Sequence, residues 1–165
     1  MINETVKAKD QMSLGIGKGL LEGIDINANM KVELFGQDGS LKEIREVHNT
    51  VTNAGKYGVI DQILGTPTLA KAGWMEVGEG TGGTTKLNDY VAGSRTALDS
   101  KARLNAVVTM ICTFAAGVGT GALTEAGVFD VVTEDTINMW MYAEFATVNK
   151  LIGDSLVITW TLTQG

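Results

Sequence analysis

The sequence predicts a mainly β protein: a β-sandwich or jelly-roll-like domain with one short helix and an extended N-terminal arm. Three observations lead there. Apolar–polar alternation with a period of two recurs along residues 30–163. Glycine occurs 21 times against a single proline, which suits short strands joined by tight turns. Helical spacing is convincing in one stretch only. Seven or so strands of this kind, with glycine turns between them, fit two packed antiparallel sheets. An α+β arrangement with a flanking helix is the alternative.

The elements follow in chain order. Residues 1–29 differ in texture from the rest: Gly15, Gly17, Gly19 and Gly23 interrupt any regular element, yet Leu14, Ile16, Leu20, Leu21, Ile24 and Ile26 are too apolar for a free tail. Such a segment reads as a docking arm that packs on something else, often a neighbouring copy, with 30–165 as the single β-rich domain. An irregular terminus laid over its own core is the other reading.

From Met30 the alternation is regular. Residues 31–35 form a strand, Gly36-Gln37-Asp38-Gly39 a turn, and residues 41–47 the returning strand of a hairpin, where Ile44 breaks the alternation and calls for a bulge. Asn53 can cap a helix whose apolar residues Tyr57, Ile60, Ile63 and Leu64 recur at helical spacing up to Gly65, and Thr66-Pro67-Thr68 ends it. Residues 74–77 read as a strand, 78–85 as a glycine-rich connection, and 86–102 as loop. Residues 104–114 read as one long strand with Leu104, Ala106, Val108, Met110, Cys112 and Phe114 on one face. Strands are expected again at 122–131, and at 139–148 and 155–163 as a closing hairpin. There Leu156, Ile158 and Trp160 face the core, while Val157, Thr159 and Thr161 face away.

Composition bounds the function. A hydrophobic fraction of 44% with 19% charged residues is that of a globular chain, and 165 residues fit one domain. The net charge of −6, with no Lys/Arg cluster beyond Lys7 and Lys9, argues against a nucleic-acid partner. Cys112 is the only cysteine, so no disulfide forms within the chain, and its apolar neighbours mark it as a small buried hydrophobe. The N-terminus lacks the apolar run of a secretory signal, and no stretch approaches the ~20 apolar residues of a membrane span, so a soluble protein without a membrane partner is expected.

Chemistry finds little to work with. His48 is the only histidine, so neither a usual zinc site nor a supported Ser-His-acid triad can be assembled, and Gly93-Ser94 lacks the frame of a nucleophile elbow. The loop at 78–85 places Lys86 after Thr84-Thr85, the reverse of a phosphate-binding loop, and Gly15-Ile16-Gly17-Lys18-Gly19 follows no strand. Two acidic pairs, Glu76 with Glu79 and Glu134 with Asp135, lack the dense alternation of a calcium loop and read as turn residues. No catalytic residue, cofactor or metal ligand is assigned.

Four blocks carry a resemblance. Val47-His48-Asn49-Thr50-Val51-Thr52-Asn53-Ala54-Gly55 resembles a signature of small virion proteins of tailed bacteriophages, in which a strand ending in His-Asn-x-Val-Thr leads into a helix. Val77-Gly78-Glu79-Gly80-Thr81, Thr124-Glu125-Ala126-Gly127-Val128-Phe129, and Val148-Asn149-Lys150 leading to Asp154-Ser155-Leu156-Val157-Ile158-Thr159-Trp160-Thr161 keep the same order and spacing. The likeness spans residues 30–163. It implies a non-enzymatic structural protein on the outer surface of the virion, made in the bacterial host cytoplasm. Such sequences serve as head decoration (cement) proteins or as tail or tail-fibre components that bind the host surface. The arm favours decoration, with the major capsid protein and further copies of the chain as partners, and a trimer as the expected homo-oligomer.

Overall fold

A computed structural model describes residues 26–65 and 69–164. Among these residues, ten strands form two five-stranded antiparallel sheets that pack face to face as a β-sandwich, with one helix. The strands are β1 (Ile26–Phe35), β2 (Leu41–His48), β3 (Thr50–Val51), β4 (Trp74–Gly78), β5 (Thr96–Ala97), β6 (Ser100–Leu104), β7 (Val107–Phe114), β8 (Gly121–Phe129), β9 (Met139–Lys150) and β10 (Ser155–Gln164). Sheet A runs β2-β1-β10-β7-β6 and sheet B runs β3-β9-β8-β4-β5. Among the described residues, no helix is long and apolar enough to cross a membrane.

The period-two stripes pack as the alternation requires. Met30, Val32 and Leu34 of β1, Met110, Cys112 and Phe114 of β7, and Leu156, Ile158 and Trp160 of β10 supply the sheet A side of the core. Met75, Val77, Leu123, Val128, Met141 and Phe145 face them from sheet B. Trp160 has no exposed surface and pairs in register with Met30 on one side and Met110 on the other. Burial of the Cys112 thiol pushes its pKa up to about 12.

Three local expectations need correction, while the expected bulge is present. Strand β1 starts at Ile26, not Met30: Ile26 pairs with Gln164, and Ala28 is in the core, so the boundary after residue 29 falls inside a strand. Residues 86–102 are not all loop, since β5 and the start of β6 lie there. The long strand at 104–114 is broken by Asn105, whose φ of 54° makes a two-residue turn. Leu104 therefore ends β6, three-quarters exposed. The bulge in the first hairpin does exist, because Leu34 pairs with Glu43 and Phe35 with Leu41. It does not bury Ile44, which stays 42% exposed.

The helix α1 (Asn53–Leu64) is capped by Thr52 rather than Asn53. The Thr52 hydroxyl accepts from Gly55 N at 3.0 Å and donates to the Met139 carbonyl. Gly65 closes it in the left-handed conformation, φ 71°, as the sequence suggests. Tyr57 and Ile60 are more than half exposed, whereas Gly55 and Gly58, one turn apart, press against Trp140 of β9. A Cβ at Gly55 would stand 2.3 Å from the Trp140 carbonyl oxygen, so backbone meets backbone there.

Gly55→Ala should therefore destabilise the protein by about 1–3 kcal/mol, the range for forced overpacking, although alanine is the better helix former. Denaturant melts of the variant and parent check this, and an unchanged midpoint would show that the helix can move off β9.

Candidate functional site

Buried ionisable groups concentrate on the outer face of sheet B. Alternation sends Met75 and Val77 to the core, and Trp74 and Glu76 to the other side. A bulge between Leu123 and Glu125 resets β8, so that Leu123 and Val128 face inward while Glu125 and Phe129 face outward. Residues 79–95 fold over this face. Leu87 and Tyr90 from that segment pack with Phe129, Met139, Tyr142 and Trp74 in a second small core. Close approach needs Gly83, where a Cβ would stand 2.6 Å from the Tyr142 ring.

The covering segment has no neighbouring strand along most of its length, so side chains satisfy its amides. Glu125, with no exposed surface, accepts from Asn88 N at 3.3 Å and Asp89 N at 2.8 Å. Glu144 accepts from Gly82 N, and Thr124 donates to Gly80 O at 2.7 Å. The Tyr142 hydroxyl lies 2.8 Å from Glu144 and 3.1 Å from Glu125. Burial, followed by these carboxylate neighbours, raises the Tyr142 pKa well above the ordinary tyrosine range.

Beside this cluster, Arg95 Nη2 donates to Glu76 Oε2 at 3.0 Å, with both side chains almost fully enclosed. The guanidinium lies 3.6 Å above the Phe129 ring and donates to Val131 O at 2.8 Å. Burial raises the Glu76 pKa, outweighing the hydrogen bond and charge of Arg95. At the β9–β10 turn, buried Lys150 donates to Ala115 O at 3.0 Å and Asp154 O at 2.8 Å. The Asp154 carboxylate takes Lys42 Nζ at 2.8 Å, which holds its pKa below the usual carboxylate range, and Leu151 N at 3.1 Å.

The residues singled out in the sequence are therefore scattered. His48 is exposed on the outer face of sheet A, where Asn29, Lys31, Glu46, Thr159 and Thr161 line a shallow concavity of about 650 Å³ with it. Ser94 is fully buried and donates to Val77 O at 3.1 Å, against sheet B. Glu76 holds Arg95, whereas Glu79 accepts from Ala122 N at 2.7 Å, so that pair does not converge. Glu134 accepts from Arg95 N at 3.2 Å, and Asp135 pairs with Lys86. Loop amides that could cradle an anion already meet Glu144 and Glu125. Of the proposed docking residues, Ile26 packs against the core from β1; Leu14, Ile16, Leu20, Leu21 and Ile24 lie outside the described residues. No metal-ligand cluster of His, Cys, Asp and Glu occurs among the described residues. Sequence reasoning gave no individual role to Arg95, Glu125, Tyr142 or Lys150, although Glu125 and Lys150 lie in the blocks that carry the resemblance.

Two measurements check this arrangement. Arg95→Met leaves Glu76 buried without its cation and should cost about 3–5 kcal/mol, much of it recovered when Glu76→Gln is added. A double variant no better than the single would show that Arg95 acts through Phe129 alone. For Tyr142, the folded pKa lies above the unfolded value of about 10, so its contribution is full below pH 10 and lost as pH rises further. Denaturation midpoints between pH 9 and 11 should fall more steeply in the parent than in Tyr142→Phe. Parallel slopes would refute the burial.

Comparison of the chain with protein-family models, with curated proteins and with solved structures finds no match.

Proposed function

We propose that the chain is a non-enzymatic structural protein of a tailed-bacteriophage particle, a decoration (cement) protein that binds and stabilises the outside of the head. One observation carries the reading: the four blocks that resemble phage virion proteins coincide with joints of the sandwich. The first block supplies the Thr52 cap and the Gly55 contact that seat α1 on β9. The second and third meet where Glu125 and Thr124 hold the segment after β4. The fourth holds Lys150 and Asp154 at the turn between the sheets. Residues shared for such reasons preserve a framework, which is what a repeated building block needs.

The partners in this reading are the major capsid protein and further copies of the chain, in a trimer, with apolar arm residues such as Leu14 and Ile16 reaching the neighbour. A short tether of this kind gives the second contact a high effective concentration. The second reading, a tail or tail-fibre component that binds the host surface, is favoured by the concavity around His48. Its Asn, Lys, Glu and Thr side chains could hydrogen-bond a polar ligand such as a carbohydrate.

Location in the particle separates the two. Antibody raised against the purified protein should label heads, and the protein should co-sediment with undecorated heads. Label confined to tails would replace the first reading with the second. Hydrolysis of cell-wall glycan or peptide, lost in Glu76→Gln or Glu125→Gln, would overturn both.

A further inference from the structure

An apolar groove of about 400 Å³ opens between α1 and one end of the sandwich. Ile26, Val51, Val59, Val108, Trp140 and Leu162 line it, from both sheets and the helix. Open apolar surface of this kind usually has an occupant. We infer that the groove is covered in cis by the chain's own residues 20–25, with Ile24 and Leu20 seated in it.

The chain enters the domain at the groove, since Ile26 is both the first residue of β1 and part of the lining. In β1 the even-numbered residues Ala28, Met30, Val32 and Leu34 are all buried, and Ile26 packs with them. The same parity continues upstream through Ile24 and Leu20, with Glu22 between them. Ile24 is two residues from Ile26, a reach of about 7 Å at most, so a neighbour's arm would compete with a tethered segment at much higher effective concentration. Lining and segment also match chemically: Leu20 and Ile24 suit the apolar lining, and Glu22 between them suits Lys71 at the groove. Leu14 and Ile16, beyond Gly17 and Gly19, then remain for a partner. The inference concerns the domain alone and stands whether or not the particle role holds.

The test uses the full chain, whose own Cys112 is buried and stays out of the chemistry. Ile24→Cys combined with Val59→Cys should oxidise to a disulfide within one chain, seen as loss of both free thiols without a covalent dimer. Equal mixtures of the two single variants should give no heterodimer. A heterodimer in the mixture, or no bond in the double variant, would overturn cis docking. A second readout avoids cysteine altogether. Ile24→Asp should raise binding of an apolar fluorescent dye several-fold, whereas Leu14→Asp should leave it unchanged. Equal responses would also overturn the assignment.

Discussion

Sheet B is covered on both faces, and the cover on its outer face is a loop. This constraint organises much of the rest of the molecule. A strand or helix laid over a sheet brings its own hydrogen-bond partners; a loop does not, and every amide it buries must find another acceptor. Glu125 and Glu144 are those acceptors, at Asn88, Asp89 and Gly82, and in the other direction Glu79 of the loop accepts from Ala122 N of β8. A charged acceptor makes a stronger hydrogen bond than a neutral one, which helps offset the cost of enclosing a carboxylate. The same cover encloses Glu76, and Arg95 is the cation that makes its charge tolerable there. Of the carboxylates that first suggest chemistry, Glu79 and Glu134 accept from backbone amides, while Glu76 and Asp135 hold the side chains of Arg95 and Lys86.

The same logic recurs at the β9–β10 turn, where the chain passes from sheet B to sheet A. Lys150 is buried and donates to the carbonyls of Ala115 and Asp154, while Asp154 binds Lys42 from the first hairpin. Burial lowers the Lys150 pKa, and the nearby Asp154 charge partly restores it. Three connections are tied together by three side chains, Lys150, Asp154 and Lys42. On the helix side the join is apolar: Gly55 and Gly58 bring the backbone of α1 onto Trp140.

What could be read from the sequence was whatever periodicity encodes. Strands β1, β7 and β10 alternate cleanly because one face meets the core, and Trp160, Leu156 and Ile158 were placed correctly by that rule alone. β6 was illegible since it is an edge strand, exposed at every residue, and so has no apolar stripe to announce it. Helical spacing finds the helix but not its contact with β9, because Gly55 and Gly58, which press on Trp140, carry no hydrophobic signal. Arg95, Glu125 and Lys150 were missed for a related reason. Their partners are backbone groups and residues distant in sequence, and no local pattern marks them.

The distribution of exposed groups limits how such a sandwich can associate. Its sheet edges are poor templates for a further strand. β3 and β5 are two residues long, β6 carries Lys101 and Arg103, and β2 carries Lys42, Glu43, Arg45 and Glu46. Among the described residues the larger apolar exposure lies mostly in turns and on the helix: Tyr57 and Ile60 on α1, Leu104 at the β6–β7 turn, Val132 and Ile137 between β8 and β9, and Leu151 and Ile152 at the β9–β10 turn; Leu41 and Ile44 on β2 are less exposed. Register places Leu104 at the end of sheet A where Ile26 enters, since Leu104 pairs with Val107, Val107 with Thr163, and Thr163 with Asn27. Helix, groove and chain entry therefore share one end of the molecule. A partner approaching that end meets apolar side chains, whereas one approaching an edge meets mixed charges that must be desolvated. Contacts through the ends, rather than growth along the sheets, are what this surface favours.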